Sequence, residues 1–244
     1  MAAGDVRFHS VCRTDCGRVR TVNQDAFFAR DDAGLWAVSD GMGGHAWGEI
    51  ASAEVIDRLN RLVSSSASCP ISREGVERAL LDANLALQER SAASGLRLGM
   101  GATAAALCAS GGRFFCLWVG DSRIYRLHDG TLTLLTHDHR YVQELVDRGA
   151  LAADAARHHP KRNVLTRAVG LERELRIDAC EGMLGRQDKF LIATDGVTGI
   201  CSDDEIASSL QHGGNLDDAA DRLVTLCNMK GSPDNLALVL VQSA

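Results

Sequence analysis

The stretch ATAAALCASGGRFFCLWVGDSRIYRLHDG, residues 102–130, decides the fold. It holds three short apolar runs, 102–109, 114–120 and 124–127. SGGR at 110–113 and HDG at 128–130 carry the small, turn-forming residues that close hairpins. Strands joined this tightly run antiparallel, because a parallel pair needs a long crossover. Further runs rich in Val, Leu and Phe lie near 35–39, 189–194 and 236–242. Between them come segments of helical period. Ile50, Ala53, Ile56, Leu59 and Val63 share one face over 49–63, and Val76, Leu80, Ala83 and Leu87 share one over 73–90. Helices are also expected at 139–149 and 217–229, and Ser202 with Glu205 forms a capping-box pattern opening a short helix at 203–210. Helices in adjacent pairs and strands in hairpins favour antiparallel sheet covered by helices over a doubly wound parallel fold. The pattern leaves the number of sheets open.

Four aspartates sit at the ends of these runs. Asp40 closes LWAVSDG, Asp121 closes FFCLWVGD, Asp195 closes FLIATDG, and Asp234 opens SPDNLALVLV. A carboxylate at a strand end is held by a rigid element yet open to solvent. Carboxylate oxygens without companion thiols or imidazoles suit magnesium or manganese better than zinc or copper. RTVNQDA at 20–26 adds Arg20, Asn23 and Asp25. A guanidinium suits a phosphate, and the plainer alternative is a surface arginine beside a turn made by Asn23 and Asp25. SDGMGGHAWGE at 39–49 lacks the lysine and hydroxyl of a P-loop and the spacing of a dinucleotide fold. What it offers is a carboxylate set beside a helix N-terminus.

Composition narrows the class. The chain has 244 residues, 45% of them hydrophobic, enough for one sizeable core or at most two small ones, and only 3 prolines, so no linker stands out. A single domain over 1–244 is expected. The net charge of −6 and the dispersed basic residues argue against a nucleic-acid footprint. The 8 cysteines form no CxxC pair, which fits free thiols in a reducing compartment. The start, MAAGDVRFHS, has no apolar signal core, and no run approaches the roughly 18 apolar residues of a spanning helix. The expectation is a cytoplasmic chain with no membrane anchor. The polar, His- and Arg-rich segment at about 136–170 contains one clear helix and reads as a flap near the site.

Taken in order, RTVNQDA, SDGMGGHAWGE, GMGAT, VGDSRIYR, THDH, LTRAVG, ATDGV and SPDNLALVLV resemble the metal-dependent protein phosphatase 2C family, its bacterial single-domain branch above all. The resemblance runs from about residue 7 to residue 242. It implies an α+β fold: a four-layer αββα sandwich of two antiparallel sheets, with the metal site at one end between them. It also implies a serine/threonine protein phosphatase that uses two core Mn²⁺ or Mg²⁺ ions and a third, weaker one. By motif, Asp40 corresponds to the carboxylate bridging the two core ions. The Gly41 carbonyl corresponds to a ligand of the second ion, and Asp195 and Asp234 to ligands of the first. Asp25 corresponds to a residue holding metal-bound water, Asp121 to a ligand of the third ion, and Arg20 to the phosphate-gripping arginine.

The implied chemistry is in-line attack on phosphorus by a metal-bridged hydroxide, with no phosphoenzyme. A serine alkoxide leaves more readily with a general acid. Where eukaryotic members carry a histidine directly after the Asp-Gly pair, this chain has Met42. His45 is the best local substitute, or else caps or packs the helix start, and His158 and His159 are weaker candidates. Trp47 and Thr198-Gly199 also depart from the family pattern, away from the expected ligands. The implied partners are phosphorylated proteins: a Hanks-type Ser/Thr kinase and its substrates, with type VI secretion control as one setting. Two other readings stand beside this one. A pseudophosphatase would have lost a metal aspartate, and none is lost. An aspartyl-phosphate hydrolase would show DxDx[TV], which Asp40-Gly41-Met42 does not.

Overall fold

A computed structural model describes residues 7–43, 47–66, 70–96, 99–212 and 214–243. The strands are β1 (Phe8–Asp15), β2 (Asp25–Arg30), β3 (Leu35–Met42), β4 (Gly101–Ala102), β5 (Ala104–Ser110), β6 (Arg113–Val119), β7 (Arg123–His128), β8 (Thr131–Leu134), β9 (Asp178–Met183), β10 (Lys189–Ala193) and β11 (Leu236–Ser243). The helices are α1 (Trp47–Ser65), α2 (Arg73–Ala93), α3 (Tyr141–Asp147), α4 (Ala153–Ala156), α5 (Asp195–Thr198), α6 (Asp203–Gln211) and α7 (Leu216–Met229). One sheet has the order β1-β11-β10-β7-β8, the other β2-β3-β5-β6-β9 with β4 beside β3, and every pairing is antiparallel.

Strand alternation builds four layers. In β11, Ala237, Val239 and Val241 meet Trp36, Val38 and Leu107 of the other sheet, forming the central layer. The intervening Leu236, Leu238 and Leu240 face α5, α6 and α7 through Val197, Ile206 and Leu223. In β3, Trp36 and Val38 point to the centre, while Leu35 and Ala37 pack against Val55 and Leu59 of α1 and Leu80 and Leu87 of α2. A strand covered on both faces reads as a continuous apolar run, which is why β3, β5, β6, β10 and β11 stand out in the sequence. The sequence reading misses β1, β2, β8 and β9. All four are outer edges of the sheets and stay partly exposed, and polar residues break the pattern of β1, β8 and β9.

Both hairpin turns form as read. Gly111 (φ 58°) with Gly112 (φ 77°) joins β5 to β6, and Asp129 (φ 46°) with Gly130 (φ 76°) joins β7 to β8. Both central residues in the left-handed region give the turn that matches strand twist. The capping box on α6 is present in full: the Glu205 N–H donates to Ser202 Oγ and the Ser202 N–H to Glu205 Oε2. The face assigned to the first helix needs correction. α1 buries Gly48, Ala51, Ser52, Val55, Leu59 and Val63, whereas Ala53 is exposed and Ile50 and Ile56 are only half-buried. Ala51 and Ser52 are small because α1 lies close against β2, β3 and β4, so the true stripe is less hydrophobic than its neighbour. No helix among the described residues is long and apolar enough to cross a membrane.

Candidate functional site

One end of the sandwich gathers the ends of β3, β10 and β11 and the loops that precede β2 and follow β6. A cleft of about 470 Å³ opens there, lined by Arg20, Asp40, Gly41, Asp121, Asp195 and Asp234 together with Gln24, Met42 and Asn235. Residues 163, 165–168, 171 and 172 form its other wall. Six of the eight sequence-derived candidates thus share one concavity. Asp25 does not line the cleft but sits with its carboxyl buried beside Asp40, its partner across β2 and β3, and His45 falls outside the described residues.

Asp25 opens β2 directly opposite Asp40 on β3. Like charges at directly opposed strand positions repel. Thr194 Oγ donates to Asp25 Oδ2 at 2.7 Å. Burial, with the charges of Asp195 and Asp234 behind it, still pushes the Asp25 carboxyl up to about 7. Burial and the charges of Asp25 and Asp195 hold Asp40 well above the usual carboxylate range. Asp195, first residue of α5, is raised to about 7 by burial and by the charge of Asp121, against the pull of Arg140. Three neighbouring carboxyls are thus reluctant to ionise until positive charge joins them.

That positive charge comes in part from arginines. Arg20 grips both oxygens of Asp234 at 2.8 and 2.9 Å. It stands at the rim, roughly half exposed, tied to the carboxylate and not projecting freely over the cleft. Arg140 donates to Asp121 at 2.5 Å and to Asp195 at 3.0 Å. With Asp234, Asp195 and Asp121 turned to guanidinium groups, no three acidic, histidine or cysteine side chains among the described residues close into a ready metal cage. The donor chemistry nevertheless fits hard divalent cations: every carboxylate is an oxygen donor, the set is crowded, and burial opposes its charge.

Several side chains that the sequence reading did not single out hold this arrangement. The Asp40 N–H donates to Thr103 Oγ1 (2.9 Å), the Thr103 N–H to the Asp40 carbonyl (2.8 Å), and Ser39 Oγ to the Thr103 carbonyl (2.6 Å). Asn235 acts as a staple. Its Oδ1 accepts from the Gln24 N–H, and its Nδ2 donates to the carbonyls of Cys16 and Val22, fixing the loop that carries Arg20. The Asp25 N–H donates to Asn23 Oδ1 at 3.1 Å, so the turn foreseen at Asn23–Asp25 is real. A Cβ on Gly41 would run into the Gly48 carbonyl, and one on Gly196 into that of Asn235. Those two glycines let β3 close onto α1 and α5 onto β11. Ser39, Thr103, Gly196 and Asn235 lie within motifs quoted from the sequence, but the contacts they make are fixed only by the fold.

The segment 136–170 folds back on itself. The Thr166 N–H donates to the His139 carbonyl, the Tyr141 N–H to the Val164 carbonyl, and Val169 bridges Ala102. It contains α4 besides the one helix expected. His158 is exposed and His159 packs beside Tyr141, and neither lines the cleft. His139 is buried, its Nδ1 accepting from the Gly120 N–H and its Nε2 facing Asp178. Met42, directly after the Asp40-Gly41 pair, lines the cleft.

Comparison with known proteins bears on this geometry. The profile of the family described as Protein phosphatase 2C matches residues 14–240. The serine/threonine protein phosphatase PstP of Mycobacterium tuberculosis is 37% identical over 234 residues, which cover 93% of this chain and 43% of PstP. The chain therefore spans less than half the length of that relative. Among solved structures, PppA, described as a key regulatory component of the type VI secretion system in Pseudomonas aeruginosa, superposes with a TM-score of 0.89 at 35% identity, covering 99% of this chain and 100% of PppA. The catalytic domain of PstP in complex with 2 manganese ions gives 0.88 at 32% identity, covering 98% and 99%.

Proposed function

The chain belongs to the protein phosphatase 2C family, and we propose that it is a metal-dependent phosphatase removing phosphate from phosphoserine and phosphothreonine in proteins. The observation that carries this reading is the meeting of Asp40, Asp195 and Asp234, from three distant segments, with Arg20 in one open cleft. Asp40, Asp195, Asp234 and the Gly41 carbonyl would hold two ions, Mn²⁺ or Mg²⁺, with Asp25 acting through water. When bound, such ions supply the charge that makes a water nucleophilic near neutral pH and draws in the phosphoryl oxygens.

The chain's own residues supply the rest. Asp40 faces the cleft, and Asp25, opposed to it on β2, is the further carboxylate that would steady water on the bound ions. Arg20, with Nε and Nη2 engaged by Asp234, offers Nη1 to a phosphoryl oxygen at the rim. His45 gives the departing alkoxide its proton. Residues 136–170 act as a flap that governs which phosphorylated segments reach the cleft.

Assay of p-nitrophenyl phosphate and a phosphothreonine peptide, with Mn²⁺ and with EDTA, tests the proposal. Hydrolysis that needs the metal supports it, and none in either condition sinks it. A covalent phosphoenzyme, trapped on denaturation, would point to the aspartyl-phosphate class instead. The likeness to PppA supports a narrower setting, in which the chain opposes a bacterial Hanks-type kinase that switches on type VI secretion. Deleting the gene should raise phosphorylation of the secretion scaffold, and unchanged phosphorylation would remove that setting.

A further inference from the structure

We propose that Arg140 is a resident cation occupying the place of an accessory metal ion beside Asp121, so that this chain holds two ions and not three. The inference rests on the two-ion reading above. Asp121 follows β6 and is 5% exposed. Its Oδ2 accepts from Arg140 Nε at 2.5 Å, and the same guanidinium reaches Asp195 Oδ2 at 3.0 Å through Nη2. One planar cation thus links the carboxylate expected to hold the third ion to one expected to hold a core ion. A metal ion at Asp121 would have to share this space with a fixed like charge.

Arg140 is placed there by the fold. It caps α3 in an extended conformation and bridges Leu165. Flanking bonds from the Tyr141 N–H to the Val164 carbonyl and from the Thr166 N–H to the His139 carbonyl hold its backbone. The side chain is 15% exposed. Asp138, the other acid within reach, stands 3.9 Å from Arg140 Nε and is already held by Arg123 through two bonds of 2.8 Å. Asp138 therefore leaves Arg140 to Asp121 and Asp195. Guanidinium remains protonated at any pH at which the protein is folded, so its charge does not depend on metal supply. Burial works against that charge, and the facing Asp121, Asp195 and Asp138 overcome it.

Equilibrium dialysis against saturating Mn²⁺, with metal counted by mass spectrometry, decides the matter on the full chain. Two ions per wild-type chain are expected, three for Arg140→Ala, and two again for Arg140→Ala combined with Asp121→Asn. Arg140→Gln, which keeps an amide donor without the charge, takes the place of the alanine variant if the latter loses cooperative melting. Three ions in the wild type, or an unchanged count in both charge-removing variants, would overturn the proposal. Fewer than two in the wild type would instead overturn the two-ion reading, and the difference between wild type and variant would still report on Arg140.

Discussion

Asp25 and Asp40 face each other across neighbouring strands, and their protonation sets how the metal-free protein responds to pH. Unfolded carboxyls ionise near 4, roughly, whereas folded Asp25 and Asp195 hold their protons up to about 7. Between those values the native state binds more protons than the unfolded one, so stability falls as pH rises through the window. The EDTA-treated chain should therefore melt lower at neutral pH than in mild acid, at roughly 2–4 °C per kcal/mol lost for a chain of this size. Asp25→Asn should flatten that slope. A melting temperature that climbs across the window in both proteins would contradict the raised values. The catalytic roles are tested residue by residue. Asp195→Asn and Asp40→Asn should each cut Mn²⁺-dependent turnover by roughly a hundredfold or more with the fold retained. His45→Ala should slow phosphothreonine hydrolysis by about a hundredfold and spare p-nitrophenyl phosphate, whose leaving group needs no proton. Equal losses on both substrates would remove His45 from the acid role.

Among the elements, α1 separates legible from illegible sequence most clearly. Its period announces a helix, and Leu59 and Val63 fall on the expected face. The rest of the buried stripe is Val55 with the small Gly48, Ala51 and Ser52, which let the helix lie close to the sheet. Hydrophobicity alone therefore pointed to the larger Ile50 and Ile56. Leu59→Ala should cost about 2–5 kcal/mol, while Ala53→Gln should stay within about 0.5 kcal/mol. A large loss at Ala53 would contradict the orientation found here. The short α5 matters for placement. Gly196 touches the Asn235 carbonyl, so Gly196→Ala should push Asp195 away from Asp234. Mn²⁺ affinity should drop by roughly 10–100-fold with the circular dichroism spectrum preserved. Unchanged affinity would show that α5 and β11 can separate without harm.

At the scale of the whole molecule, the two sheets share the apolar layer around Trp36, Leu107, Phe190 and Val239, and each carries its own helices outside. Because that layer joins the helix-facing clusters through the same strands, thermal unfolding should be one cooperative transition, coincident by near- and far-ultraviolet dichroism. Two separate transitions would show that the sheets fold as independent units. The antiparallel strands, both tight hairpin turns, the α6 cap and the strand-end aspartates are legible in the residues alone, because turn chemistry, alternation and capping act over a few residues. The sequence by itself could not specify which partners those aspartates meet. Arg140 reaches Asp121 and Asp195 across 19 and 55 residues of chain, and Asn235 staples a loop more than 200 residues away. Such contacts are fixed by strand order and sheet packing, which no local pattern encodes. That Arg140 joins the carboxylates, and that Arg20 is tied to Asp234, follows from the packed fold alone, because charge pairing depends on distance in space and not along the chain.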